Sequence, residues 1–216
     1  YPRSFCWERQ RSAVADLHKG AEGDVASFRT AALREYKPLA EQGVALAQFF
    51  LGLMYEEGLG VAQDAAQAAE WFRKAAKQGY VEAQFHLGAM YQCGKGVARN
   101  AAQSRRWYRK AAEQGHARAQ LFVGEMYYEG KGVAQDYAQA AEWYRKAAPC
   151  PVQVPINASE LVQADYNLGE MYYAGLGVAQ DYAQALMWFK HAAAEGHAEA
   201  QHNVAFMYEE GLGVAQ

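Results

Sequence analysis

Residues 47–79, AQFFLGLMYEEGLGVAQDAAQAAEWFRKAAKQG, hold the plan of the chain, because most of the remaining sequence repeats them. Gly52, Gly88 and Gly124 stand 36 residues apart, Gly169 follows 45 later, and Ala205 takes the same place another 36 on. Tyr55, Tyr91, Tyr127, Tyr172 and Tyr208 follow the same rule, as do Trp71, Trp107, Trp143 and Trp188. A fixed period of this size marks units that cannot bury their apolar faces alone and must stack into a solenoid.

Each unit reads as two helices. In the first, Ala47, Leu51, Met54 and Tyr55 recur at helical spacing and line one face. Gly58 and Gly60, present in every copy, end that helix where the backbone needs positive φ. Asp64, Asn100, Asp136 and Asp181 come four residues after the second glycine, the place of an N-cap for the second helix. Ala68, Phe72, Ala75 and Ala76 give that helix its buried stripe. Gly52 and its equivalents lie inside the first helix, where Gly costs about 1 kcal/mol against Ala. A place that accepts Gly or Ala needs a small side chain, so close helix approach is expected there, with the alanine pairs of the second helix as the expected neighbours.

The pattern A-x-x-x-L-G-x-M-Y-x-x-G-x-G-V-x-x-[DN]-x-x-x-[AS]-x-x-W-[FY]-x-K-A-A-x-x-G, carried by Ala83 to Gly115 and its equivalents, resembles the Sel1-like repeat, a relative of the tetratricopeptide repeat. The resemblance covers about four-fifths of the chain in five consecutive copies. It implies an all-α fold, an α-solenoid forming a right-handed superhelix of stacked antiparallel helix pairs. It also implies an adaptor, commonly bacterial, that holds other proteins together.

The expected organisation follows from the register. Residues 1–43 form a diverged, cap-like helical pair, with a first helix at 11–19 and a second in which Pro38 is expected to produce a kink. The array occupies 44–216: repeats at about 44–79, 80–115 and 116–148, a Pro-rich insertion at 149–163, a repeat at 161–195 and a half repeat at 196–216. The prolines at 149, 151 and 155 favour an extended surface loop, with Ser159 as the expected cap of the next helix. The half repeat lacks its second helix, so self-association through its uncovered face is expected. The chain begins at Tyr1 rather than Met, as after removal of an export signal. The expected compartment is therefore the bacterial periplasm or exterior rather than the cytoplasm.

A net charge of −3 supplies no general attraction to nucleic acid or to an anionic membrane, and no apolar run reaches the length of a membrane span. Neither nucleic-acid binding nor membrane insertion is expected. Cys6, Cys93 and Cys150 occupy unrelated repeat positions and form no repeated disulfide framework. His197 and His202 lie five residues apart, a rotation of about 500°, so their rings diverge and no metal site is expected. Nucleophile-elbow, phosphate-loop and S-x-x-K motifs do not occur. No catalytic residue, metal or cofactor is assigned.

Positions that vary between copies point to a partner surface. On the first helices, expected to line the concave side, a ridge runs through Phe49, Phe85, Leu121, Tyr166 and His202. Beside it lie Ala89, Glu125, Glu170 and Phe206, and a turn further on Gln92, Tyr128 and Tyr173. These first helices carry ten acidic residues and one basic, Arg118. Arg105, Arg106, Arg109 and Lys110 concentrate positive charge on a second helix, read as a solvated convex face away from the site. An aromatic floor with acidic walls favours a peptide with basic and apolar side chains. The alternative is a hydrolase of cell-wall or related material using Glu129 and Glu170.

Overall fold

The structure, a computed structural model, describes residues 25–147 and 158–214. They form ten α-helices, and no strand occurs among the described residues: α1 Val25–Glu41, α2 Ala45–Glu57, α3 Ala65–Lys77, α4 Val81–Cys93, α5 Ala101–Glu113, α6 Ala117–Glu129, α7 Tyr137–Ala147, α8 Ala158–Ala174, α9 Tyr182–Ala194 and α10 Ala198–Glu209. The chain divides into two compact units. The first contains α1 to α3, the start of α4 as far as Ala83, and residues 95–98. The second contains α4 from Gln84, residue 99 and everything that follows. Each is built from the helix pairs expected of an α-solenoid.

The turn inside each pair has one construction throughout. Gly58 adopts φ 71° and returns its N–H to Met54 O, closing α2 in the left-handed cap that only glycine adopts without cost. Asp64 then reaches back, its N–H donating to Tyr55 O at 2.9 Å, and the same bond joins Asn100 to Tyr91, Asp136 to Tyr127 and Asp181 to Tyr172. The Asp64 carboxylate accepts the N–H groups of Ala66 and Gln67, and Asn100, Asp136 and Asp181 each accept that of the third residue onward. The Asx caps therefore satisfy orphan donors of the second helices. Gln63, Gln135 and Gln180 add a side-chain bond at 2.8 Å to the carbonyls of Glu56, Tyr128 and Tyr173. The second glycine of the turn has a separate reason. A Cβ on Gly96 would collide with Ala65 O, and one on Gly213 with Tyr182 O, so this glycine lets the turn rest on the start of the preceding second helix.

The glycine inside the first helix closes each pair, but its neighbour differs from the expectation. A Cβ on Gly52 would lie 2.6 Å from the Phe72 ring, and the same collision awaits Gly88 with Tyr108, Gly124 with Tyr144 and Gly169 with Phe189. The small residue receives the flat face of the buried aromatic that follows Trp in each second helix, and not the alanine pairs. Those alanines pack elsewhere in the core. Ala40, Ala47 and Leu51 cluster in the first unit, and Ala140, Ala141, Ala147, Leu168 and Met171 surround Tyr144 in the second.

A glutamine ties successive pairs together. Gln48, Gln120 and Gln201 donate to the carbonyls of Ala40, Ala112 and Ala193 at the end of the preceding second helix. In the fourth copy the residue is Asp165, buried, which meets His191 Nδ1 at 2.6 Å. Burial pushes its carboxyl up from the ordinary value, against the opposing pull of His191. Helix α1 runs through Pro38 without interruption. Helix α8 starts at Ala158, so Ser159 stands in its first turn rather than at its cap. The first N-terminal helix and the prolines of the insertion lie outside the described residues. Among the described residues no helix is long and apolar enough to cross a membrane.

Candidate functional site

The ridge residues are tied to partners 31 positions onward. Phe85 stacks on His116 at 4.5 Å between centroids, Tyr166 stacks on His197 at 4.4 Å, and Phe49 packs on Tyr80 at 5.0 Å. Leu121 has Leu161 in its cluster, the same pairing stretched by the nine-residue insertion. Variation along the ridge is thus matched by variation in the residue it packs on. The signal was present in the sequence as a recurring 31-residue spacing.

The two histidines do a second task. His116 Nδ1 accepts the Ala119 N–H, and His197 Nδ1 accepts that of Ala200, both at 3.2 Å, so each imidazole serves as an N-cap. Burial, reinforced by Arg118 and His86, pushes the His116 pKa down to about 4. In the unfolded chain this ring protonates as the pH falls through its ordinary 6.5, whereas in the fold it does so only near 4. Its contribution to stability is therefore complete above pH 6.5 and lost as the pH falls from there towards 4, in total on the order of 3 kcal/mol. Urea unfolding at pH 7 and pH 4.5 is expected to differ less in His116→Asn, whose amide caps without titrating, than in the parent; an equal difference would remove His116 as the cause.

A cavity of about 500 Å³ in the second unit lies between α6 and α8, with α7 behind it. Leu121 and Phe122 supply its apolar surface, Tyr128 and the Tyr144 hydroxyl its polar aromatic edge, and Glu125 and Glu129 its acidic wall. Phe122 is stacked on Tyr108 at 5.0 Å, which holds the floor flat. Asn167 Nδ2 donates to the Tyr144 hydroxyl at 3.1 Å and Gln163 Nε2 donates to Asn167 Oδ1 at 3.0 Å, fixing the far side. Burial pushes the Tyr144 phenol up, and Glu125 and Glu129 push it further, so their charges are felt inside. Beside the cavity, Glu170 accepts the hydroxyl protons of Tyr128 and Tyr166 at 3.0 and 2.9 Å. Burial and then Glu170 raise both phenols, Tyr166 to about 12.

A second cavity of about 360 Å³ adjoins the first, sharing Phe122 and Glu125. Gln92, whose Oε1 accepts the Tyr108 hydroxyl proton at 2.8 Å, lies in its wall with Arg99, Ser104, Arg105 and Lys131. This corrects the reading of Arg105 as part of a remote solvated face. Its guanidinium lies against Gly132 and lines a cavity together with first-helix residues. Tyr173, His202 and Phe206 line a third cavity, of about 250 Å³, with Phe206 41% exposed. Of the remaining sequence-derived candidates, Phe49 is buried in the first unit and Ala89 is half-buried on α4. Glu129 is paired with Lys131 and lines the larger cavity, whereas Glu170 is not in that lining.

The Sel1 repeat family matches this sequence at residues 45–80, 81–116, 117–148, 162–197 and 198–216. A Sel1 repeat protein from Oxalobacter formigenes is 36% identical with a TM-score of 0.68, the match covering 81% of this chain and 68% of that one. A protective antigen of uropathogenic Escherichia coli strains, displaying an SLR fold, is 35% identical with a TM-score of 0.72, covering 96% of this chain. The chain spans 45% of the length of that antigen. Among curated proteins the sequence finds no match. Five consecutive matched segments, the repeated G-x-G-V turns and the glycine–aromatic closure of each helix pair agree: the chain belongs to the Sel1 repeat family, whose members are generally protein-interaction scaffolds.

Proposed function

We propose that this protein is a non-catalytic adaptor whose second unit holds a peptide segment of a partner protein in the cavity between α6 and α8. The observation that carries the reading is the pairing, in one cavity, of an apolar floor of Leu121 and Phe122 with an acidic wall of Glu125 and Glu129. Such a surface fits a basic side chain whose aliphatic stem lies on the floor and whose charge meets the carboxylates, flanked by an apolar neighbour. The first-helix residues around it, Tyr128, Tyr166 and Glu170, form a hydrogen-bonded support that fixes the rim before a partner arrives, which lowers the ordering cost of binding. The hydrolase alternative draws no support from geometry. Glu170 is held by two tyrosines and does not lie in the cavity lining that contains Glu129.

Selection of a randomised peptide display library on the purified chain tests the reading. Enrichment of Arg or Lys beside Leu or Phe is expected, and it should vanish when the selection is repeated on Glu125→Lys/Glu129→Lys protein. Enrichment without basic residues, or enrichment unchanged on the variant, would overturn it.

A further inference from the structure

The second cavity stands at the joint between the second and third copies, and the second copy departs from the other copies at three of its lining positions. Where the other copies hold Gln63, Gln135 and Gln180, this one has Arg99; where they hold Ala68, Ala140 and Ala185, it has Ser104; where they hold Ala69, Ala141 and Leu186, it has Arg105. The alanines and Leu186 are buried core, each no more than 4% exposed. A guanidinium in that place has no packing rationale, and it changes the joint. The glycine of the following turn, Gly132, meets the Arg105 guanidinium, whereas Gly96, Gly177 and Gly213 meet the backbone at the start of the preceding second helix. Ser104 is 3% exposed, and its hydroxyl has no hydrogen-bond partner among the described residues. A buried hydroxyl left unpaired, in a position that alanine fills in the other three copies, is a standing cost that a ligand would remove.

We infer that this cavity is a binding site for a carboxylate. Arg99, Arg105 and Lys131 bring three positive charges to its wall, and Ser104 and Gln92 bring polar groups. Guanidinium groups recognise planar oxyanions through paired N–H donors, and the Ser104 hydroxyl can donate to the same anion. Glu125 in the same wall, and the pairing of Lys131 with Glu129, reduce the net positive charge to what a single negative charge answers, so a monoanion is favoured over a phosphate dianion. The carboxylate can belong to a free small acid or to an acidic side chain of a peptide. This site goes beyond the adaptor reading and stands without it.

The test uses the full chain, with N-acetylglycine, its neutral amide, inorganic phosphate and the blocked tripeptide acetyl-Ala-Glu-Ala-amide as probes, each titrated at constant ionic strength and read by amide chemical shifts. Saturable shifts of Ser104, Arg105 and Lys131 with N-acetylglycine or the tripeptide, and none with the neutral amide, are expected; the tighter of the two acids identifies the source. Arg99→Gln and Arg105→Ala restore residues that other copies hold at the same backbone positions, so both variants should fold, and each is expected to weaken binding about tenfold. Ser104→Ala should weaken binding while leaving thermal stability equal or higher. The inference is overturned if neither acid binds, if phosphate binds tighter than both, or if the three variants bind as the parent does. A peptide selection that enriches no basic residues on the parent, or that enriches them unchanged on Glu125→Lys/Glu129→Lys protein, with N-acetylglycine still bound by the parent, would remove the adaptor reading and leave this one standing.

Discussion

Gly124→Val is expected to destabilise the protein by about 3 kcal/mol, measured as a shift of the urea midpoint at unchanged slope. A Cβ at this position would stand 2.7 Å from Cδ1 and Cε1 of Tyr144, a ring 2% exposed whose hydroxyl is held by Asn167. The ring therefore has no free direction in which to retreat, and overpacking of such a site costs about 1–3 kcal/mol, with the branched side chain at the upper end. Helix propensity acts in the opposite sense by about half a kcal/mol, too little to change the outcome. Ala205, the equivalent residue of the fifth copy, is exposed and supplies the control. There Ala→Val should lose only propensity, about half a kcal/mol. Equal losses at the two positions would mean that the glycine–aromatic closure is not what requires a small residue.

The repeat itself made the helices, the turns and the caps legible, because a position that recurs four or five times in one chain reports a requirement of the backbone or the core. Gly58 and Gly60 and the Asx series illustrate this: their spacing alone placed the turn and the N-cap. Recurrence was a weaker guide to which groups meet. The small Gly52 position was matched to alanines by size, although the aromatic that follows Trp was equally periodic and is what packs there. Periodicity states which residues are needed and leaves their partners to three-dimensional packing. The candidate site was legible in part for the same reason. Glu125 and Tyr128 were reached as variable first-helix residues, whereas Phe85 and Tyr166 vary in step with His116 and His197, a packing relation that mimics a recognition surface. Arg99, Ser104 and Arg105 lie in and beside a second helix assigned to solvent by its charge. Only the depth of the other copies at the positions of Ser104 and Arg105 reveals that a cavity replaces core there.

Glu125→Lys is expected to weaken binding of a selected basic peptide about thirtyfold, close to 2 kcal/mol, with a change in unfolding free energy within about half a kcal/mol. The side chain is exposed, so its replacement leaves the packing of α6 intact, yet it stands in the walls of both adjoining cavities. Reversal there removes an attraction and adds a repulsion for the same ligand charge, which is why its effect should exceed that of Glu125→Gln. Tyr128→Ala is a poorer probe. Its hydroxyl holds Glu170 and its ring packs on Tyr137 and Tyr144, so loss of binding there would carry loss of structure with it.

The most direct measurement of the adaptor reading is a charge-swap titration. A peptide recovered from selection, and the same peptide with its basic residue changed to Glu, are each titrated calorimetrically into parent and Glu125→Lys protein. The parent is expected to bind the basic peptide and reject the acidic one, and Glu125→Lys to reverse the order, with a coupling between the two changes well above the error of additivity. Parent protein that binds both peptides equally, or two changes that act independently, would contradict it.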